Sequence, residues 1–303
     1  MSVKSAVNTF RRSESARSGL LFVIPALVLV LLFLVLPILY TIRLSVAKGP
    51  GFQMTGFIGL QNYDRLFSDR AFLATAKYPP TGALINSLQW MVFAVPAVTL
   101  IGLIVALVAD HSRFQTFIRG AFFLPMVISG TVIGIIWTFV FAPTPSVGLL
   151  NAITGGAQSW LGDPKVVNYS LMAAWIWGST GYSVVIIAAA LKGISIEIVD
   201  AARVDGAHGW SLFWHITLPS IRVPMSFLLV TQLVEVLKVF DVVFVMTRGG
   251  PAGLSRTLAL LFYEQSFVYF NPQYGAAIVV IMSVVIVVVF SITRRISEGG
   301  ANA

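Results

Sequence analysis

Residues Asp200 to Pro219 read DAARVDGAHGWSLFWHITLP, a polar, glycine-punctuated segment set between two long apolar stretches. Its start is predicted to be a short helix. Asp200 can cap it, Ala201, Ala202 and Arg203 favour helix, and Gly206 and Gly209 permit a turn away from it. Pro219 is expected to mark where the next element begins. A polar loop this specific between two membrane-apolar stretches is expected to be a docking device, and the length of the flanking stretches makes the fold helical and membrane-spanning.

Composition agrees. Of 303 residues, 57% are hydrophobic and only 11% charged, against about 25% charged in soluble domains, and the mean hydropathy is +0.88. The apolar runs reach about 20 residues, whereas barrel strands alternate over about ten. The chain therefore reads as an all-α integral membrane protein. It has no cysteine, which excludes a disulfide framework, CxxC redox chemistry and thiolate metal sites. Its net charge of +8 is placed at span ends near anionic headgroups, and without a basic run interleaved with aromatics no nucleic-acid partner is expected.

Six spans are predicted, at roughly 20–42, 84–109, 120–142, 168–191, 221–246 and 276–293, with a loop at 192–220, in one domain over 1–303. The first follows the basic residues Lys4, Arg11, Arg12 and Arg17. It is too long for a signal-peptide core and has no small-x-small cleavage site, so it is read as a retained helix. Pro25, Pro37, Pro96, Pro125, Gly130 and Gly134 inside the spans imply kinks and close packing. Six spans put both termini on one side. With that side cytoplasmic, eleven Lys and Arg are cytoplasmic, eight external and Lys238 lies within a span. Five of the eight fall in the long segment 43–83, which weighs little in the positive-inside rule.

No catalytic constellation is present. His111, His208 and His215 stand apart from carboxylates at ligand spacing, and there is no HExxH, P-loop or GxSxG. The unusual feature is charge within the fifth span, where Glu235, Lys238 and Asp241 follow at intervals of three. Charge at membrane depth costs about 2.5 kcal/mol or more, so these groups are expected to face protein or water. Glu235 and Lys238 share a face and can neutralise each other, either as a buried structural pair or as part of a solute pathway. Asp241 is expected nearer the outer end, as a gate or structural residue.

The opening stretch resembles the EAA loop of binding-protein-dependent ABC importer permeases, through Asp200, Ala201, Ala202, Asp205, Gly206, Ala207, Leu218 and Pro219. The resemblance extends through FIGLQNYDRLFSD (57–69), Asn86, FFLP (122–125), GLLN (148–151), VFDVVFVMTRGGP (239–251), YEQSF (263–267) and NPQYGAA (271–277). These are similar to the maltose- and glycerol-3-phosphate-type sugar permeases, specifically the partner carrying T-x-G-G-P. Two departures stand out: Asp rather than Glu at 200, and Ser at 195 where Ile-Pro is common.

The resemblance implies a type I ABC importer permease fold in the bacterial inner membrane, with both termini cytoplasmic and the loop acting as a coupling helix. It implies a carbohydrate substrate, a second homologous permease subunit forming a heterodimer, two ATP-binding subunits, and a periplasmic or lipid-anchored solute-binding protein. The chain itself would be no enzyme and bind no cofactor, ATP and Mg being used by the ATPase subunits. Carried across residue by residue, the solute pathway comprises Trp175, Ser179 and Tyr182 in the fourth span and Gln232 and Glu235 in the fifth, with Val236 and Val239 also facing inward. Three other readings stay open: an ABC permease for a phosphorylated or sulfonated polyol, a stand-alone ion-coupled carrier using Glu235 and Asp241, and a membrane enzyme, weakened by the missing catalytic constellation.

Overall fold

The computed structural model describes residues 23–74, 81–110 and 112–299, with side chains described as far as 293. Residues 20–22 of the first predicted span, the four basic N-terminal residues, Lys77 and His111 lie outside the described residues, as do the side chains of Arg294 and Arg295.

The described chain is almost entirely helical. α1 (Val23–Ser45) carries a widened π-turn at Leu31–Val35. That turn accommodates Pro37, whose ring lacks an N–H and crowds the carbonyl four residues before it. α1 is sheathed in exposed apolar side chains, with Phe33 at 76%, as a lipid-facing helix should be. After α1, β1 (Ala47–Lys48) and β2 (Gly56–Phe57) form a short antiparallel ribbon, and α2 spans Gln61–Ser68. Gln273 clamps this region to the last helix by donating its amide to the carbonyls of Gly49, Gly51 and Gln53 at 2.7–3.0 Å.

The centre is built from α3 (Ala83–Asp110) and α7 (Val167–Lys192). The 28 residues of α3 rise about 42 Å at roughly 1.5 Å each, more than the roughly 30 Å of hydrocarbon they must cross. Neither helix has a strong apolar face, because both are surrounded by protein and lipid. Close approach is permitted by small residues: Gly102 of α3 lies directly against Ser183 of α7, the packing device of membrane helices. Trp90 and Trp175 meet edge to face at 6.2 Å.

The third predicted span, 120–142, is two helices, α4 (Gln115–Val127) and α5 (Gly130–Val140), bent by 103°. Pro125 sits near the end of α4, Ile128 and Ser129 are extended, and the Ser129 hydroxyl caps α5 by accepting from the Val132 N–H. Gly181 of α7 lies against the α4 backbone at Phe122. α6 (Leu149–Thr154) lies in the connection to α7, held by Asn151, whose amide donates to the carbonyls of Ala142, Pro143 and Gln158.

Between α7 and the fifth predicted span lie α8 (Ile196–Val204) and α9 (210–220, with a π-turn at Phe213–Thr217). The fifth span, expected as one helix over 221–246, is α10 (Arg222–Leu237) followed by α11 (Asp241–Met246). At Lys238–Phe240 the ladder is broken although no Gly or Pro is present. The carbonyl of Val239 is instead satisfied by the buried hydroxyl of Thr257 at 3.0 Å. Thr257 also caps α12 (Leu258–Val268) by accepting from the Leu260 N–H. The connection 247–257 is pinned to the ends of α3 and α7. Asn86 donates to the carbonyls of Leu254 and Arg256, and Asn168 to that of Leu254. α13 (Pro272–Gly299) closes the fold. Among the described residues four helices are long and apolar enough to cross a membrane alone (α1, α3, α7 and α13), five if α4 and α5 count as one broken span.

Candidate functional site

A cavity of about 550 Å³ opens between α4–α5, α7 and α10–α11, within the range of about 300–1,000 Å³ typical of small-molecule sites. All five residues assigned to the pathway line it: Trp175, Ser179 and Tyr182 from α7, Gln232 and Glu235 from α10. On α7 this follows from the steps of four and three, which stack side chains on one face. The Trp175 ring is held by Trp90. Gln232 is buried and donates its amide to the Ser183 hydroxyl at 3.2 Å, so α10 is tied to α7 at the cavity floor.

Of the two other positions expected to face inward, Val239 lines the cavity, whereas Val236 is fully buried in the core and does not. The α10 wall positions 231, 232, 235 and 238 centre the cavity face near Glu235, and 236, about 100° from 235, falls beyond its edge although it stands one turn on from Gln232. Glu235 and Lys238 do pair, at 2.7 Å, but not as a buried pair: their side chains are 61% and 53% exposed, opening on the cavity. Asp241, expected nearer the outer end as a gate or structural residue, lines the same cavity, the helix restarting at Asp241 after the break at 238–240. Its carboxylate lies against Gly130, the first residue of α5, where a Cβ would stand 3.0 Å from Oδ2. Thr231, Met126, Gly130 and Phe240 are among further wall positions that the sequence did not assign to the pathway. The signals were faint: Thr231 only adjoins Gln232, and Gly130 read as a packing residue. Among the described residues no group of three or more His, Asp or Glu converges as a metal site.

The second candidate feature is the loop. The α8 helix begins four residues earlier than the predicted cap. Ser195 caps it by accepting from the Glu197 N–H at 3.3 Å, and Asp200 lies mid-helix, paired with Arg203 at 3.2 Å on the exposed side. The departure at position 195 thus supplies the cap. At the other end, Gly206 donates to the Arg203 carbonyl and Ala207 to that of Ala202. This pair of bonds is the Schellman closure, which needs a left-handed residue, and Gly206 has φ +87°. Gly209, at φ +51°, makes the second turn. Leu218 and Pro219 do not begin the next element: they form the last turn of α9, just past the π-turn, and α10 starts at Arg222 after the buried Ile221. The loop displays apolar groups, with Val204 88%, Ile196 73% and Trp210 73% exposed, beside the charges of Asp200, Arg203 and Asp205. Trp210, Phe213 and Trp214 form a ring cluster with centroids 5.4–5.6 Å apart.

Comparison with known proteins places these features. Residues 98–299 match the family model described as binding-protein-dependent transport system inner membrane component. The chain is 39% identical over 88% of its length, and 94% of the relative's, to the osmoprotective compounds uptake permease protein of Synechocystis sp.. It is 33% identical over 98% of its length, and 88% of the relative's, to the alpha-glucoside transport system permease protein of Rhizobium meliloti. Among solved structures it resembles a chain of a bacterial ABC transporter involved in import of the acidic polysaccharide alginate. The TM-score is 0.76 at 20% identity, covering 94% of this chain and 97% of that one.

Proposed function

The chain belongs to the family of binding-protein-dependent transport system inner membrane components, with the type I importer permease fold, and from that premise we propose that it is the permease half of an ATP-driven importer for a carbohydrate. The observation that carries this reading is the cavity itself. Aromatic rings at Trp175 and Tyr182 stand beside the hydroxyls of Ser179 and Thr231, the amide of Gln232 and the carboxylate of Glu235. Carbohydrates present apolar ring faces that stack on aromatics and hydroxyls that each need a partner once water is removed. The naming of an alpha-glucoside permease among the relatives supports the same substrate class.

ATP hydrolysis is assigned to two separate subunits, since the sequence has no phosphate-binding loop of its own. We assign the α8–α9 loop to docking on one of them. Exposed Val204 and Ile196 offer apolar contact, Asp200, Arg203 and Asp205 offer charge, and the Schellman closure gives the projecting turn a fixed shape. With the loop docked in this way, we assign the loop and both termini to the cytoplasmic side. A homologous permease forms the other half of the pathway, in a heterodimer, and an external binding protein delivers the solute.

Gly206→Pro tests the docking assignment. Proline is confined to φ near −65°, so the closure at φ +87° is lost, while the spans are untouched. Co-expressed with its partner subunits, the variant is expected to insert normally, resisting alkaline extraction from membranes, and to lose at least about tenfold of solute-stimulated ATP hydrolysis, about 1.4 kcal/mol of coupling. Wild-type uptake and stimulated hydrolysis in that variant would refute the assignment.

A further inference from the structure

The ionisable groups of the cavity wall are few. Among the described residues of the wall, α4, α5 and α7 contribute no Asp, Glu, Lys, Arg or His, and α10–α11 contribute Glu235, Lys238 and Asp241. The Lys238 ammonium lies 2.7 Å from a Glu235 carboxylate oxygen, so the one cation among these residues is neutralised and Asp241 carries their net charge. Asp241 stands beside a helix start. Its carboxylate lies against the first residue of α5, where unpaired N–H groups give the helix end a partial positive charge. Gly130 makes that approach possible, since any side chain there would press on Oδ2.

From this census we infer that the cavity wall selects neutral over anionic solutes, with Asp241 as the discriminating residue. The inference rests on the cavity being the solute pathway. Recognition of a phosphate, sulfonate or uronate calls for unpaired Arg or Lys in a forked or clustered arrangement, and this wall supplies the reverse. Low-dielectric walls focus the field of a fixed charge and change local ion concentrations by about tenfold or more. A neutral polyol feels little of that field and gains a strong acceptor for a pair of hydroxyls. The phosphorylated or sulfonated polyol is thereby the disfavoured substrate.

The absence of cysteine from the chain allows a direct measurement in the assembled transporter with cysteine-free partner subunits. Single thiols are introduced as Ser179→Cys or Thr231→Cys. Their modification rates are compared for a cationic trimethylammonium-ethyl and an anionic sulfonatoethyl methanethiosulfonate, each normalised to the rate with free 2-mercaptoethanol. The expected normalised cation-to-anion ratio is about ten or more, falling at least about threefold when Asp241→Asn is added. A ratio within about twofold of unity at both positions overturns the inference, whatever the Asp241 variant does. So does a high ratio that Asp241→Asn leaves unchanged. If Asp241→Asn fails to assemble, Glu235→Gln, which frees the Lys238 charge, is required to lower the ratio by the same measure, and its failure to do so overturns the inference. Reaction with neither reagent, nor with neutral methyl methanethiosulfonate, at either position refutes instead the cavity reading on which the inference rests.

Discussion

Lys238 reaches Glu235 across one helical turn, yet both side chains remain more than half open to the cavity. Exposed pairs of this kind contribute about 0–1 kcal/mol, because water already solvates each partner. The pair therefore does little to hold the fold. Glu235→Gln, Lys238→Met and the double variant are each expected to assemble to wild-type yield and to melt within about 1 kcal/mol of wild type, while both variants carrying Glu235→Gln lose uptake. Poor assembly of either single variant with recovery in the double would mean a desolvated structural pair. At this scale much was legible beforehand. Spacing of three announces the pair, and Gly206 and Gly209 announce two turns that need a positive φ. Ser195 was read as a departure from the family although Ser is among the best caps, and Val236, one turn on from Gln232, was placed on a cavity face that centres near Glu235 and ends short of it.

Breaks, more than helices, escaped the sequence. The long apolar runs of α3, α7 and α13 are unambiguous, and the bend between α4 and α5 has visible causes in Pro125 and in Ser129 as a cap. The break between α10 and α11 has none, because nothing at 238–240 disfavours helix. Its cause is tertiary. Thr257, eighteen residues on, donates to the Val239 carbonyl and caps α12 with the same oxygen, and the loop carrying Thr257 is pinned by Asn86 and Asn168. Thr257→Val keeps the shape and removes both bonds. Leaving a buried carbonyl and N–H unsatisfied costs about 1–3 kcal/mol each, so the purified assembly is expected to melt several degrees lower. It should also lose transport, because Val239, within the break, and Asp241, just after it, line the cavity. Unchanged melting and uptake would show that the break is set by something other than this hydroxyl.

Across the whole molecule, α7 and α10 supply the five residues proposed for the pathway, and the segment joining them is the proposed docking loop. A displacement of α8 and α9 is transmitted at once to both walls of the cavity, since α7 ends at Lys192 and α10 begins at Arg222. Gln232 and Ser183 tie the two helices to each other across the buried floor. On the proposed docking, alternating access would need no long relay: nucleotide state would move the loop, and the walls it connects would open to one side or the other. The most direct test is the sidedness of the cavity. With Tyr182→Cys or Gln232→Cys in the reconstituted transporter, a membrane-impermeant thiol reagent is applied from each side, without nucleotide and with a trapped ATP analogue. The account predicts modification from the loop side in the first state and from the opposite side, with binding protein present, in the second. Modification from one side only, unchanged by nucleotide, would contradict it.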